Sequence, residues 1–155
     1  MPNFAMDDLD RRLLRELQRD AGQTSAELAE RVGSSPSTCL RRVAQLKEAG
    51  VIRRVVAVVD PDALGRPLTA FVEVTLTRHG REPSRRLIEA ARGEPAVRQL
   101  HMIAGEGDVM LMLHLRDMKE FRAVCERLFY ADPNVDRFRT LFSMEGMKDE
   151  TAIPV

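Results

Sequence analysis

A stretch with well-marked ends, residues 33–50, constrains the fold of this chain more than any other. Gly33 can close a preceding helix in the left-handed conformation, Ser35 can cap the next helix with its hydroxyl, and Pro36 suits the first helical position because that position needs no amide hydrogen. Gly50 then supplies a stop. The spacing predicts one helix between Pro36 and Gly50.

The predicted helix has two chemically different sides when it is wound at about 100° per residue. The apolar side carries Pro36, Cys39, Leu40, Val43 and Leu46. The polar side carries Ser37, Thr38, Arg41, Arg42, Gln45 and Glu48. An ordinary amphipathic helix with a solvated charged side has the same periodicity, so the neighbouring segments must decide what the polar side does.

Those neighbours favour a helix-turn-helix. A leucine-striped helix is predicted over 8–20, and a second helix opens at Thr24 with the capping-box partner Glu27 three residues later. Only a short turn separates this second helix from the helix after Ser35. A basic, β-branched run over 51–59 follows at once and has the composition of a wing strand. This layout is typical of a winged helix-turn-helix.

The charge distribution agrees with a DNA-binding surface at this place. The formal net charge of the whole chain is zero, but 31–54 carries six basic residues against one acid, whereas 7–30 carries four basic residues against seven acids. A basic patch confined to one helix and the run after it indicates contact with nucleic acid. The predicted DNA-binding residues are Ser35, Ser37, Thr38, Arg41, Arg42, Gln45, Arg53 and Arg54.

A second pattern begins after the breaker-rich linker at 60–67. Alternating residues predict strands over 68–77, 97–104, 109–115 and 135–144, and helices are predicted over 83–92 and after Asp117. The order βαββαβ is that of a ferredoxin-like fold, with both helices on one face of an antiparallel sheet. We therefore expect an α+β chain with a DNA-binding domain at 1–59, a linker at 60–67 and a second domain at 68–155.

The other sheet face must meet water or a partner. RNA-recognition modules share this topology and place aromatic residues on their central strands. We take 97–104 and 109–115 as the central strands, and they contain no aromatic residue, so RNA stacking is not expected. An apolar open face favours a homodimer held by the second domain, with two helices presented to a two-fold DNA site.

Several other classes are not expected. The chain has no Gly-x-Ser-x-Gly or phosphate-binding glycine motif, and its histidines and two cysteines lack metal-ligand spacing, so neither an enzyme nor a metal or cofactor site is predicted. Cys39 and Cys125 each fall on an apolar helix side and are predicted to be buried thiols. No secretion signal or membrane-spanning run is present in the sequence, so we expect a cytoplasmic location and no membrane partner.

The chain from about 7 to 150 resembles the Lrp/AsnC family of bacterial and archaeal transcriptional regulators. The resemblance lies in the stretches 9–14, 28–29, 35–46, 50–52, 60–61, 64–65 and 104–108. It implies a winged helix-turn-helix, an amino-acid-sensing domain of ferredoxin-like fold, and dimers that assemble to tetramers or octamers. It also implies an amino acid bound at subunit interfaces near a Gly-x-x-Asp loop.

The corresponding loop here is 105–108. Glycines leave backbone amides open to a carboxylate, and Asp108 could balance an ammonium group. The predicted effector-binding residues are Gly105, Glu106, Gly107, Asp108, Met102 and Met110. The loop departs from the commoner family pattern because no aromatic residue flanks the aspartate, and the methionines favour an apolar or long, flexible effector.

One alternative shares every DNA-binding feature. A nucleoid-associated architectural protein compacts DNA and has no effector. An amino acid that changes assembly or DNA binding would separate a regulator from such a protein.

Overall fold

The computed structural model describes residues 5–80 and 82–155 and divides the chain into two compact units. The N-terminal unit contains the chain up to Val58 together with Lys148–Val155. The C-terminal unit is Val59–Met147. Each has its own buried apolar core.

Three helices form the N-terminal unit, α1 (Asp8–Arg19), α2 (Ser25–Val32) and α3 (Pro36–Glu48). Their ends confirm the local signals. The Ser35 hydroxyl accepts the Thr38 amide hydrogen at 3.2 Å, and Gly33 has a φ of 64° in the left-handed region. Thr24 and Glu27 form the predicted reciprocal capping box. Each cap satisfies amide or carbonyl groups that a helix end otherwise leaves open.

The core of this unit is small. Its buried members are Leu13, Leu28, Ala29, Val32 and Cys39. The expectation that Leu40 and Pro36 pack with Cys39 is wrong, because Leu40 is 61% exposed and Pro36 is also exposed. Two short neighbouring helices cover only a narrow arc of α3, and the covered arc centres on Cys39 and Leu46, both of which are fully buried.

The run after α3 does not form the expected wing strand in a single chain. Residues 53–60 have no strand assignment, and the valines at 55, 56, 58 and 59 are exposed. Their β-branched side chains favour an extended backbone, but a strand needs a neighbouring strand to accept and donate its hydrogen bonds.

The last residues of the chain belong to the N-terminal unit, not to the second domain in which 68–155 had placed them. The Gln18 side chain exchanges two hydrogen bonds with the backbone of Ile153, at 2.6 and 2.9 Å. The Arg15 guanidinium donates to the carbonyl of Val155 at 3.0 Å. These bonds tie Lys148–Val155 to α1.

The C-terminal unit is a four-stranded antiparallel sheet with its helices on one face. Its elements are β1 (Leu68–Leu76), α4 (Arg85–Gly93), β2 (Val97–Met102), β3 (Val109–Leu115), α5 (Met118–Cys125) and β4 (Val135–Phe142). A π-helical turn, Glu126–Tyr130, extends α5. The strands lie in the order β2-β3-β1-β4. The ferredoxin-like prediction is confirmed.

Alternate residues of β1 and β3 build the larger core. The strand members are Ala70, Val72, Val74, Leu76, Val109, Leu111, Leu113 and Leu115. The apolar sides of α4 and α5 pack on them through side chains such as Leu87 and Val124. The remaining sheet face is left open.

The expectation about which strands are central in the sheet is wrong. The central strands are β1 and β3, not β2 and β3, so β2 lies at an edge. Phe71 on β1 is exposed, and the register places it beside Met112 of β3 and Leu141 of β4. The open face therefore carries one aromatic ring on a central strand, contrary to the statement that the central strands have none.

The linker predicted at 60–67 is folded as part of the C-terminal unit. A tight turn is closed by the Arg66 amide, which donates to the Pro61 carbonyl at 2.8 Å, and Gly65 takes a φ of 68° there. The Arg66 guanidinium then donates to the His114 carbonyl at 2.9 Å.

Candidate functional site

The exposed side of α3 begins with a cluster of hydroxyl groups. The Ser35 hydroxyl donates its hydrogen to the Thr38 hydroxyl oxygen at 2.8 Å. The Ser37 hydroxyl oxygen lies 3.2 Å from the Ser35 hydroxyl oxygen. Ser37 is exposed and Thr38 is half-buried. Because Ser35 already caps the helix, Ser37 is the more accessible hydroxyl at the positive end of the helix dipole.

The two adjacent arginines of α3 point in different directions. Arg41 is exposed, and its guanidinium donates to the side-chain oxygen of Gln45 at 3.3 Å. Arg42 is 26% exposed and turns to α1, where it forms ion pairs with Asp7 and Asp10. The sequence predicted that Arg41 and Arg42 lie together on the polar side of α3. Of the two, only Arg41 directs its charge to solvent. Arg53 and Arg54 are exposed in the irregular segment after α3.

The loop predicted as the effector site is tightly fixed to the end of β1. The Asp108 amide donates to the Val74 carbonyl at 2.9 Å, and the Ile103 amide donates to the Asp108 carbonyl at 2.9 Å. Gly105 and Glu106 are exposed between these bonds, whereas Gly107 is buried. The loop thus has a fixed base and an accessible tip.

The Asp108 carboxylate also belongs to that fixed base. One oxygen accepts the Leu76 amide hydrogen at 2.8 Å, and the other lies 2.7 Å from Nδ1 of His79. The Leu76 amide and then His79 hold the pKa of Asp108 below its usual value, against the opposing effect of burial. Asp108 therefore acts in the structure as an anchor for the loop.

The close approach of Glu73 leaves no room for a side chain at Gly107. A Cβ atom there would lie 2.5 Å from Cγ of Glu73, which is closer than such atoms can approach. The Glu73 carboxylate in turn forms an ion pair with Arg139 on the neighbouring strand. The absence of a side chain at Gly107 thus leaves room for this charged pair on the open sheet face.

A cleft of about 300 Å³ lies beside the loop on the C-terminal unit. Its lining residues are Glu73, Thr75, Glu106, Arg137, Phe138 and Arg139. Of these, the sequence indicated only Glu106. The available signal was the alternation in β4, where Arg137 and Arg139 share a face, but matching them to Thr75 and Glu73 requires the strand register.

The two methionines predicted to line the effector site are separated by the register of β2 and β3. Met102 lies opposite Val109, whereas Met110 lies opposite His101. Because neighbouring residues of a strand point to opposite faces, Met102 and Met110 lie on opposite faces of the sheet. Only Met110 shares the open face with Glu73, its partner on β1.

No group of metal-ligating side chains occurs within 5–80 and 82–155. Over the same residues, no helix is both long and apolar enough to cross a bilayer. Cys39 and Cys125 are buried, as predicted, and burial raises the pKa of the Cys125 thiol to about 11. A thiol with that pKa stays protonated at neutral pH and is a poor nucleophile.

Comparison with known proteins matches both units. Residues 69–153 match the Lrp/AsnC ligand binding domain, and residues 6–53 match a winged helix-turn-helix DNA-binding domain. The leucine-responsive regulatory protein of Rhizobium meliloti is 37% identical over 150 residues, which cover 97% of this chain and 96% of that protein.

Two solved structures are similar over nearly the whole chain. An AsnC family transcriptional regulator from Agrobacterium tumefaciens has 34% identity and a TM-score of 0.90, and the match covers 96% of this chain and 97% of that one. A transcriptional regulator from Neisseria meningitidis, solved as a complex with L-Met, has 30% identity and a TM-score of 0.90, with 97% of each chain covered.

Proposed function

Since the chain belongs to the Lrp/AsnC family of DNA-binding transcriptional regulators, we propose that it reads its operator with the exposed side of α3 and that an amino acid bound to the C-terminal unit regulates this binding. The observation that carries the proposal is the pairing of a capped, exposed α3 with a ligand-binding domain that presents a charged cleft. Members of this family are regulators and not enzymes.

The DNA contacts follow from the exposed groups of α3. In a helix-turn-helix the second helix enters the major groove, and its N-terminal side chains contact base edges. Ser37, Thr38, Arg41 and Gln45 are the groups of α3 that we assign to this contact, with Arg41 as the main cation. An exposed arginine can bind guanine through two parallel hydrogen bonds or can bind phosphate.

Arg53 and Arg54 are assigned to the DNA backbone. They come shortly after α3 and are exposed in a segment that forms neither helix nor strand. Phosphate contacts fix the position of a protein on the duplex, and they make its affinity depend on salt. Ser35, at the other end of α3, is assigned to capping that helix.

The effector site is assigned to the cleft beside 105–108. A free amino acid needs donors for its carboxylate and an anion for its ammonium group. In the lining of the cleft, Arg137 offers a guanidinium and Glu106 an exposed carboxylate, and Met110 supplies an apolar neighbour on the open face. The related regulator solved with L-Met supports an amino acid as the ligand class.

Asp108 has a different part in this site from the one that its charge suggested. Both of its carboxylate oxygens already lie within hydrogen-bonding distance of Leu76 and His79. We assign it to holding the loop in shape around the ligand. Gly105 keeps the loop backbone accessible, and Gly107 allows the loop backbone to lie close to Glu73.

The assembly that fits this function is a homodimer built on the C-terminal unit, which then forms tetramers or octamers. The open sheet face exposes Phe71 and Leu141, and apolar groups of this kind favour a protein partner. A dimer presents two copies of α3 to a two-fold operator. Since the partner is double-stranded DNA, we place the protein in the cytoplasm.

The test is a thermal-shift screen of the full chain with each of the twenty amino acids. A ligand at 100 times its Kd stabilises the native state by about 2.7 kcal/mol, which raises the melting temperature by a few degrees. The amino acid that gives a shift is then added to a DNA titration and to light scattering. We expect it to change DNA affinity or oligomer size. DNA binding with no response to any amino acid would instead indicate an architectural protein.

A further inference from the structure

We propose that Arg42 is a positioning residue that fixes the angle of α3 against α1 and does not itself bind DNA. This inference rests on the proposed DNA-reading function of α3. The two neighbouring arginines of that helix then have different roles. Arg41 contacts the operator, and Arg42 holds α3 in the orientation that presents Arg41.

The geometry of Arg42 carries the first step. One terminal nitrogen of its guanidinium lies 2.7 Å from Asp7, and the other lies 3.4 Å from Asp10. Both carboxylates belong to the start of α1, where Asp10 and Asp7 precede Arg42 by 32 and 35 residues. A planar guanidinium can bridge two carboxylates with a fixed orientation, whereas a lysine ammonium would supply only a point charge.

The same carboxylates also build the N-terminus of α1. Asp7 accepts the Asp10 amide hydrogen at 2.9 Å, and Asp10 accepts the Asp7 amide hydrogen at 3.1 Å. The Asp10 backbone amide first, and the Arg42 charge as a further cause, lower the pKa of Asp7 despite the opposing effect of desolvation. The capping of α1 and the orientation of α3 therefore depend on one shared cluster, Asp7, Asp10 and Arg42.

The burial of Asp10 explains what the cluster does. Asp10 is 0% exposed, and its second carboxylate oxygen has no hydrogen-bond partner within the described residues. The Nε of Arg42 is buried and also lacks such a partner. An ion pair to a buried carboxylate with unsatisfied atoms is poorly optimised for stability, but any helix arrangement that removes Arg42 leaves the buried Asp10 charge without its cation, which is strongly disfavoured. The cluster therefore specifies how α3 sits on α1.

The small core makes this anchor necessary. Among the described residues of α3, only Cys39 belongs to the buried cluster that α1 and α2 share, while Val43 packs against that cluster, Leu46 is also buried and Leu40 is exposed. A single narrow row of apolar contacts fixes the rotation of α3 about its own axis less firmly than the same row combined with an ion pair beside it. A rotation by some degrees moves the Arg41 guanidinium away from a base edge, since the side chain extends several ångströms from the helix axis.

The first experiment compares Arg42→Gln with Arg41→Gln. The probe is a duplex that the wild-type full chain selects from a random-sequence library, and nonselected duplex serves as the nonspecific competitor. We expect Arg42→Gln to weaken specific binding by about tenfold while the log–log salt slope stays within about half a unit of the wild type. Arg41→Gln should flatten the slope by about two in a dimer or relax one operator position.

The second experiment uses matched charge changes at the start of α1. Asp7→Asn keeps a good helix cap but removes the carboxylate that is nearest to Arg42. Asp8→Asn makes the same change of charge one residue away, at a side chain that is 99% exposed and 3.8 Å from Arg11. We expect Asp7→Asn to lower specific affinity about three- to tenfold, whereas Asp8→Asn leaves it unchanged or raises it slightly.

The outcomes separate the inference from the function on which it rests. If Arg42→Gln flattens the salt slope as a lost phosphate contact does, or if Asp7→Asn binds the selected duplex as tightly as Asp8→Asn, the positioning role is wrong. Both comparisons are made at a temperature at which circular dichroism shows each variant to be folded. If instead Arg41→Gln changes neither affinity, slope nor sequence preference, the reading function of α3 fails.

Discussion

Different interactions stabilise each of the two units of this protein. Among the described residues, the largest buried apolar cluster of the C-terminal unit has sixteen members, whereas that of the N-terminal unit has five. The N-terminal unit instead relies on helix caps, on the cluster of Arg42 with Asp7 and Asp10, and on the hydrogen bonds of its terminal segment to α1.

This difference suits the two tasks. A sensing unit must keep a ligand cleft on a stiff sheet, and a continuous apolar core provides that stiffness. A DNA-reading unit must leave most of one helix uncovered, so its helices share little apolar surface. Polar contacts then have to orient the reading helix, so the position of that helix depends on single charges.

The largest effect is expected from the C-terminal core. Leu111 is fully buried at the centre of β3. Leu111→Ala removes buried surface and leaves a cavity, so the free energy of unfolding should fall by about 2–5 kcal/mol. Urea denaturation followed by far-ultraviolet circular dichroism measures it. Leu40→Ala, at an exposed site of the other unit, should change stability by less than about 0.5 kcal/mol. A comparable loss at both sites would contradict the exposed position of Leu40 and with it the narrow covered arc of α3.

A smaller effect is expected at the loop glycines, which offer a matched pair. Gly107→Ala forces Glu73 to move and disturbs its ion pair with Arg139, so we expect a loss of about 1–3 kcal/mol. Gly105→Ala meets no atom within 4 Å and should be near neutral. The same denaturation experiment, with the effector thermal shift beside it, compares them. Equal behaviour of the two variants would mean that the Glu73 contact does not shape the cleft.

The smallest effect concerns pH. The pKa of Asp108 is lower in the folded chain than its unfolded value of about 3.9, so its contribution is present above about pH 4 and is lost as pH falls through the folded pKa. Asp108→Asn should therefore remove part of the decrease in stability below pH 4 and flatten that limb of the pH profile. Asp136→Asn, at an exposed site on β4, is the control, and identical profiles for the two variants would show that the loop anchor is not ionic.

Features with local causes were predicted well from sequence. The ends of α2 and α3 depend on Thr24, Glu27, Ser35 and Pro36, each acting within three or four residues, and the structure confirms them. The β2–β3 pairing has a similar basis, because a short loop with two glycines joins the two strands.

Features that depend on distant neighbours were not predicted. A helical wheel puts Leu40 beside Cys39 on the apolar side, but only the positions of α1 and α2 decide which of them is covered. Sheet order has the same origin, since β1 becomes central through pairing with β3 and β4, far along the chain. Residues 51–59 have strand composition, but composition cannot supply a partner strand.

The candidate sites follow the same rule. The loop 105–108 and the polar side of α3 could be marked from sequence. The cleft partners Glu73 and Arg139 could not, because they meet only through strand register. Nor could the role of Arg42, since its two acidic partners lie 32 and 35 residues earlier and a helical wheel shows only that it is polar.

The central claim is that the two units divide reading and sensing, and a crossed comparison of two variants tests it most directly. DNA affinity and the amino-acid thermal shift are measured on the full chain for wild type, Arg41→Ala and Asp108→Ala. We predict that Arg41→Ala loses about 1–3 kcal/mol of specific DNA binding per site but keeps its thermal shift. Asp108→Ala should keep effector-free DNA affinity but lose the shift. Loss of both responses in either variant, or a full thermal shift in Asp108→Ala, would contradict the account.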